Sequence, residues 1–280
     1  MTLLGAAQIR ALAANLDLKP SKSLGQNFVI DSNVCTKIVR TAGVTTNDIA
    51  LEIGPGLGSL TLALLDSAQS VIAIEIDPRL AEQLSITVKQ YSDQVNNLTV
   101  INKDALSVRE LNVEPTVLVA NLPYNVSVPV LLHILESFPT ICKGVVMVQA
   151  EVADRLAAKP GGKEYGIPSV KAAWWADVKN VGTVSRSIFW PAPNVDSKLV
   201  GFVRHQALGN EEMRLKVFTI VDAAFAQRRK MLRSALSNLF GSSSAAQDIL
   251  IKAGIDPTLR GEALMVEDFY KIATFAPDFF

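Results

Sequence analysis

The stretch Leu51-Glu52-Ile53-Gly54-Pro55-Gly56-Leu57-Gly58 joins an apolar run, Ile49 to Ile53, to a segment of helical spacing, Ser59–Ala68. Glycines at a strand-to-helix turn let the backbone bend sharply and come close to a ligand, because no Cβ intervenes. A dinucleotide-binding fingerprint requires a further glycine three places after Gly56, where this chain has Ser59. No Lys-Ser or Lys-Thr pair follows, so the turn is not a phosphate loop. Pro55 stiffens it further. The plain alternative is a tight turn that holds no ligand.

On the far side of this turn, short apolar runs keep alternating with amphipathic stretches. Val71 to Ile76 precedes the helical spacing of Arg79–Tyr91, and Leu98–Ile101, Thr116–Ala120 and Gly144–Val148 are further strand candidates. A helix-like stretch, Val128–Phe138, separates the last two. Strand and helix in alternation predict an α/β fold built on a doubly wound, mostly parallel sheet covered on both faces. Beyond Trp175 the rhythm changes. Val178–Val184 and Lys198–Val203 read as strands around the Pro-rich loop Trp190-Pro191-Ala192-Pro193, which suggests an antiparallel edge. Gly209 and Asn210 then break the pattern, and the remainder reads as helix. The expected division is a catalytic domain over 1–207 and a small helical domain over 208–280.

The totals narrow the chemistry. The chain has 280 residues, 49% hydrophobic and 19% charged, which suits a folded protein with a sizeable core. Nothing approaches the roughly 18 uninterrupted apolar residues of a membrane helix, and residues 1–18, interrupted by Arg10, Asn15 and Asp17, read as a short amphipathic helix rather than a signal peptide. Cys35 and Cys142 are the only cysteines, and His133 and His205 the only histidines. They make neither a disulfide framework nor a metal site, and a reducing, cytoplasmic setting is expected. Net charge is zero, with 27 basic and 27 acidic residues, so any nucleic-acid contact has to come from clustered cations.

A nucleoside-binding sheet of this kind places a carboxylate at the end of its second strand, where it accepts from ribose hydroxyls. Glu75 and Asp77 both stand there; Asp77 precedes Pro78 and fits a helix N-cap, which leaves Glu75 as the ribose ligand. Asp104, after the third strand, is a candidate acceptor for an adenine amine, or an ordinary cap. Asn121-Leu122-Pro123-Tyr124 ends the fourth strand, where such folds carry their chemistry. The Asn121 amide oxygen and the Leu122 carbonyl are suited to accept from an adenine amine, exposing its lone pair to a methyl donor. Pro123 fixes the turn, and Tyr124 is placed to stack on an unstacked base.

The G-x-G-x-G spacing resembles motif I of the S-adenosylmethionine-dependent methyltransferases. More specifically, the chain resembles the bacterial small-subunit (16S) rRNA adenine N6,N6-dimethyltransferases, the kasugamycin-sensitivity family, over nearly its whole length. Ser23-Leu24-Gly25-Gln26-Asn27-Phe28 matches the family's N-terminal signature, with Val29 where leucine is usual. Phe189-Trp190-Pro191-Ala192-Pro193-Asn194-Val195-Asp196-Ser197 matches its F-x-P-x-P-x-V-x-S signature, and Phe225 to Arg233 its tail, with Met231 where threonine is common.

The resemblance implies a Rossmann-like methyltransferase fold with residues 1–47 as a helical segment capping the cofactor, S-adenosylmethionine. It implies that Asn27 and Val29, the latter through its backbone, join Gly54, Gly56, Glu75, Asp104 and Asn121 at the cofactor, and that Phe189 faces Tyr124 across the target adenine. The implied partner is 16S rRNA in the immature small subunit, met by a monomer with neither metal nor membrane. Arg228, Arg229, Lys230 and Arg233 read as one helix face for RNA phosphates, extended by Lys19, Lys22, Lys159 and Lys163. A solvated helix face is the plain alternative. Methylation of large-subunit rRNA or DNA adenine, and a non-catalytic assembly or transcription factor of the same fold, are the competing functions. Leu122, where the large-subunit enzymes usually have isoleucine, favours the small-subunit branch.

Overall fold

The computed structural model describes residues 2–18 and 26–278 and divides into two compact units, Met1–Ala153 with Lys179–Arg204, and Asp154–Val178 with His205–Phe280. In chain order the elements are α1 (Ala6–Asn15), β1 (Phe28–Val29), α2 (Ser32–Thr41), β2 (Ile49–Ile53), α3 (Ser59–Leu65), β3 (Ser70–Glu75), α4 (Pro78–Tyr91), β4 (Leu98–Asn102), β5 (Val117–Asn121), α5 (Ser127–Ser137) and β6 (Lys143–Gln149). There follow α6 (Ala150–Leu156), α7 (Ile167–Ala173), β7 (Ala176–Val184), β8 (Phe189–Trp190), β9 (Ser197–Arg204), α8 (Glu211–Ala226), α9 (Leu232–Ala235), α10 (Ser243–Lys252) and α11 (Val266–Phe275). None of the described helices is long and apolar enough to cross a membrane.

The first unit is built on a seven-stranded sheet of order β4-β3-β2-β5-β6-β9-β7. Its first five strands run parallel, Ile53 lying beside Ile74 and Ala50 beside Val117. β2, β3, β5 and β6 are mostly apolar and buried, as strands covered by helices on both sides require, while β4, at the sheet edge, is only partly buried. β9 then joins β6 antiparallel, the edge expected from the Pro-rich stretch. A Cβ on Gly144 would stand 2.5 Å from both the Leu118 carbonyl and the Phe202 ring, so only glycine fits where these three strands meet. Helix starts carry their own punctuation. Asp31 accepts from the Asn33 and Val34 amides to open α2, and Asp77, followed by Pro78, accepts from the Arg79 amide to open α4.

The second unit is helical, but its membership departs from the boundary expected near residue 208. Residues 154–178 belong with it. The reason lies in aromatic packing: Trp174 and Trp175 meet Phe218 edge to face at 6.2 and 5.4 Å, and the Arg214 guanidinium lies over both Trp175 and Phe218. Tyr165 packs on Phe225 and gives its hydroxyl hydrogen to the Leu264 carbonyl at 2.7 Å.

Candidate functional site

In the parallel part of the sheet the chain winds one way from β2 through β3 to β4 and the other way through β5 to β6. The connections leave β2 and β5 on opposite sides, which opens a crevice beyond their carboxyl ends. The Gly54–Gly58 turn leaves β2 and Asn121–Tyr124 leaves β5, so the two motifs meet there. Pro123 ring carbons lie 3.7 Å from where a Cβ on Gly54 would stand. A cleft results, lined by Gln26 to Val29, the Gly turn, Glu52, Glu75, Ile76, Lys103, Asp104, Asn121 and Pro123. Every cofactor candidate named from the sequence is among the residues lining this cleft.

Gly54, Gly56 and Gly58 have φ of 67°, 58° and 95°, a left-handed path that favours glycine. That path turns the Gly56 amide toward Glu75, whose Oε2 accepts from it at 3.1 Å while Oε1 accepts from the Asp77 amide at 3.0 Å. Burial pushes the Glu75 carboxyl above its ordinary range, and the two amides only partly offset this. Asp77 is committed elsewhere: it caps α4 and pairs with Arg79 at 2.9 Å, which holds its carboxyl below the usual range.

Glu52 was not singled out by its sequence context, although a carboxylate inside the apolar run Ile49–Ile53 is the signal that marks it. It is 1% exposed and lines the cleft. Its Oε2 accepts from the Thr61 hydroxyl at 2.7 Å, and desolvation pushes it up to about 8, with Glu75 adding repulsion. Two buried carboxyls thus stand on this cleft.

Asp104 opens a short 3₁₀ turn, its Oδ1 accepting from the Leu106 amide at 2.9 Å, so it is both a cap and part of the cleft mouth. The Val29 carbonyl accepts from the Ser59 hydroxyl at 2.7 Å, which ties β1 to the first turn of α3. Ser23, Leu24 and Gly25 of the N-terminal signature lie outside the described residues.

At the end of β5, Asn121 Nδ2 donates to the Asn27 carbonyl at 3.0 Å. That acceptor fixes which way the amide points. Oδ1 is consequently aimed elsewhere, buried, and without a hydrogen-bond partner among the described residues. An enclosed acceptor left unsatisfied costs about 1–3 kcal/mol. The Leu122 side chain is buried and its amide donates to the Met147 carbonyl at 3.1 Å, so its backbone is held in line with β6. The Tyr124 hydroxyl meets Ser197 Oγ at 2.7 Å, anchoring its ring from the far end, and burial raises its phenol. Neither Tyr124 nor Phe189 lines the cleft. Phe189 is 3% exposed and part of the hydrophobic core.

The basic cluster is arranged differently from the single helix face expected. Helix α8 ends at Ala226; Arg228, Arg229 and Lys230 occupy a turn, and Arg233 lies on the separate short α9. The i,i+4 relation of one continuous helix therefore does not exist. Arg228 is bound to its own unit: Nε pairs with Glu262 at 2.8 Å and Nη2 donates to the Lys163 carbonyl at 2.6 Å. Arg233 reaches Gln247 at 3.3 Å. Arg229 and Lys230 are exposed, and the Arg228 bonds bring exposed Lys163 beside them. Lys159 is also exposed in this unit, while Lys19 and Lys22 lie outside the described residues.

Comparison with known proteins agrees with this geometry. The family model for ribosomal RNA adenine dimethylase matches residues 18–278. The chain is 56% identical to the ribosomal RNA small subunit methyltransferase A of Streptomyces avermitilis, over 97% of this chain and 93% of that one. Against the same enzyme of Corynebacterium diphtheriae it is 55% identical, over 97% and 94%. Among solved structures, a dimethyladenosine transferase from Plasmodium falciparum superposes with a TM-score of 0.75 at 26% identity, covering 88% of this chain and 95% of that one. The 23S rRNA methyltransferase ErmE gives 0.66 at 26% identity, over 89% and 99%. Matched by the family model over residues 18–278 and by curated relatives over nearly its full length, the chain belongs to the ribosomal RNA adenine dimethylase family.

Proposed function

We propose that this protein transfers methyl groups from S-adenosylmethionine to the N6 amines of two adjacent adenosines in a 3'-terminal hairpin of 16S rRNA, giving N6,N6-dimethyladenosine. The observation that carries this reading is the buried Oδ1 of Asn121 at the sheet's switch point, which has no donor among the described residues. The residues present suit the cofactor. The Gly turn admits a ligand close to backbone, and Glu75 offers acceptor oxygens to ribose hydroxyls. Asn27, Val29, Gly54, Gly56 and Asp104 complete its lining.

When bound, S-adenosylmethionine supplies an electrophilic methyl group on sulfur, which departs as a neutral thioether. Everything else falls to the chain. An adenine amine is a poor nucleophile because its lone pair is delocalised into the ring. Asn121 Oδ1, with the Leu122 carbonyl beside it, accepts from the amine hydrogens and favours a pyramidal nitrogen whose lone pair is free to attack. No base is needed beforehand, since the methylated nitrogen is cationic and strongly acidic. Pro123 sets the turn against Gly54, and Tyr124, anchored at Ser197, gives the extruded base a surface to stack on. Phe189 takes part only if its ring leaves the core. Positioning supplies most of the rate.

The second unit grips RNA phosphates through Arg229 and Lys230, with Lys163 and Lys159 adjoining and Arg228 and Arg233 bracing the turn. The acceptor is an immature small subunit, met by a monomer. Identity of 56% to small-subunit enzymes against 26% to ErmE favours this acceptor over large-subunit rRNA. The test is to incubate the protein and labelled cofactor with small subunits from cells lacking the gene, alongside large subunits and DNA, and to look for dimethyladenosine by mass spectrometry. Label confined to large subunits or DNA overturns the proposal.

A further inference from the structure

The cleft has a cover built by side-chain stacking. β1 and β8 are only two residues each, pairing antiparallel with Phe28 opposite Trp190 and Val29 opposite Phe189. So short a ladder carries little stability through its backbone. Residues opposite each other project to the same face, and here the Phe28 and Trp190 rings stack with centroids 6.3 Å apart and planes 24° apart. The other edge of the Phe28 ring presses on the glycine turn. Its Cδ1 and Cε1 lie 2.9 Å from where a Cβ on Gly56 would stand, so the ring rests on Gly56 itself. Gly56 in turn donates its amide to Glu75 Oε2 at 3.1 Å. An unbroken line of contact runs from the indole through the phenyl ring and the glycine backbone to the buried carboxylate. Phe28 is 7% exposed and borders the cleft, while Trp190 lies outside it and half-buried. The F-x-P-x-P signature leaves the position of Trp190 open, so the pattern does not explain the indole.

We propose that Trp190 is a positioning residue for cofactor binding: its indole holds Phe28 against Gly56 and thereby keeps the glycine turn, and the oxygens of Glu75, in the geometry that receives the ligand. The inference rests on reading the cleft as the S-adenosylmethionine site. It assigns Trp190 no contact with the reacting atoms. Losing the stack frees the Phe28 ring to swing off the turn, and this must be reversed at each binding event. Affinity therefore falls, while turnover at saturating cofactor, set at Asn121, does not.

The test uses the full chain and calorimetric titration with S-adenosylmethionine. Trp190→Ala should raise Kd roughly three- to tenfold, the worth of one aromatic pair, and Trp190→Phe, which keeps a ring on Phe28, should stay within about twofold. KM for the cofactor should follow Kd, with kcat on small subunits within about twofold in both variants. Exchange of the Gly56 amide hydrogen should quicken in Trp190→Ala alone. Thermal melts confirm folding; should the alanine variant fail to fold, Trp190→Leu takes its place. Wild-type affinity in the alanine or leucine variant, or equal losses in the alanine and phenylalanine variants, overturns the proposal. Glu75→Ala is titrated in parallel. If that variant binds as wild type, the reading of the cleft fails; if it binds weakly while Trp190→Ala does not, only the role of Trp190 fails.

Discussion

Asn121 Nδ2 donates to the carbonyl of Asn27 at 3.0 Å, a bond between residues 94 positions apart that leaves the other end of the same amide without a donor among the described residues. The bond does two things at once. It fastens the segment before β1 to the end of β5, and it orients the amide so that Oδ1, an acceptor, is the end turned away from Asn27. An incoming amine hydrogen would satisfy it, so the cost of the enclosed oxygen falls when a target amine binds. Because Oδ1 is shielded from water, an amine reaches it only after neighbouring side chains move.

Asn121→Ala should therefore lower single-turnover methyl transfer by roughly ten- to hundredfold, the worth of a hydrogen bond to a developing charge. Cofactor affinity should change by less than about threefold. Rapid-quench kinetics and calorimetry separate the two. Turnover within about threefold of wild type, below roughly 1 kcal/mol, would remove Asn121 from the orienting role.

Glu75→Ala deletes both carboxylate oxygens that hold the Gly56 and Asp77 amides. Cofactor affinity should fall by about 2 kcal/mol, close to thirtyfold. A folded variant that binds with unchanged Kd would take Glu75 out of the site.

The buried Glu52 gives the protein a pH dependence of unusual sign for a carboxylate. Its ordinary value of 4.5 is raised to about 8 by desolvation. Unfolded chain releases this proton near 4.5, whereas the native state keeps it to about 8, so between those values the native state binds more protons. Stability from this group is complete below 4.5, declines as pH rises through the window, and levels off above about 8. Glu75, also raised, acts in the same direction. Glu52→Gln should flatten the slope. Denaturant midpoints of both proteins between about pH 5 and pH 9 decide it, and parallel slopes would refute the assignment.

The basic turn divides into two functions. Arg229→Ala with Lys230→Ala should weaken binding to small subunits and reduce the salt slope by roughly one for each phosphate no longer engaged, with cofactor affinity unchanged. Arg228→Ala removes the ion pair to Glu262 and a bond to the Lys163 carbonyl, and should cost about 1 kcal/mol of stability in its unit. Binding titrations across several salt concentrations, beside thermal melts, separate them. An unchanged slope in the Arg229/Lys230 variant would make the turn a solvated surface.

Sequence alone carried the sheet. Parallel strands buried on both faces must be short and apolar throughout, and their ends fall where glycine, proline and acid residues punctuate them; Ile49–Ile53 and the Asp77-Pro78 start of α4 were legible for that reason. The residues gathered at the cleft could likewise be named, because strand ends in a doubly wound sheet converge on one crevice. What could not be read were contacts that depend on distant segments lying side by side. Arg228 looked like one of four free cations on a helix until Glu262, 34 residues further on, appeared against it. Residues 154–178 read as part of the catalytic domain, yet Trp174 and Trp175 bury their rings on Phe218 and carry the segment into the helical unit. Glu52 sits within the first apolar run, but its proton affinity comes from burial, and burial is a property of the packed chain. The same holds for Asn121: its type and place were local information, but the way its amide points is set by the Asn27 carbonyl, 94 positions away in the chain.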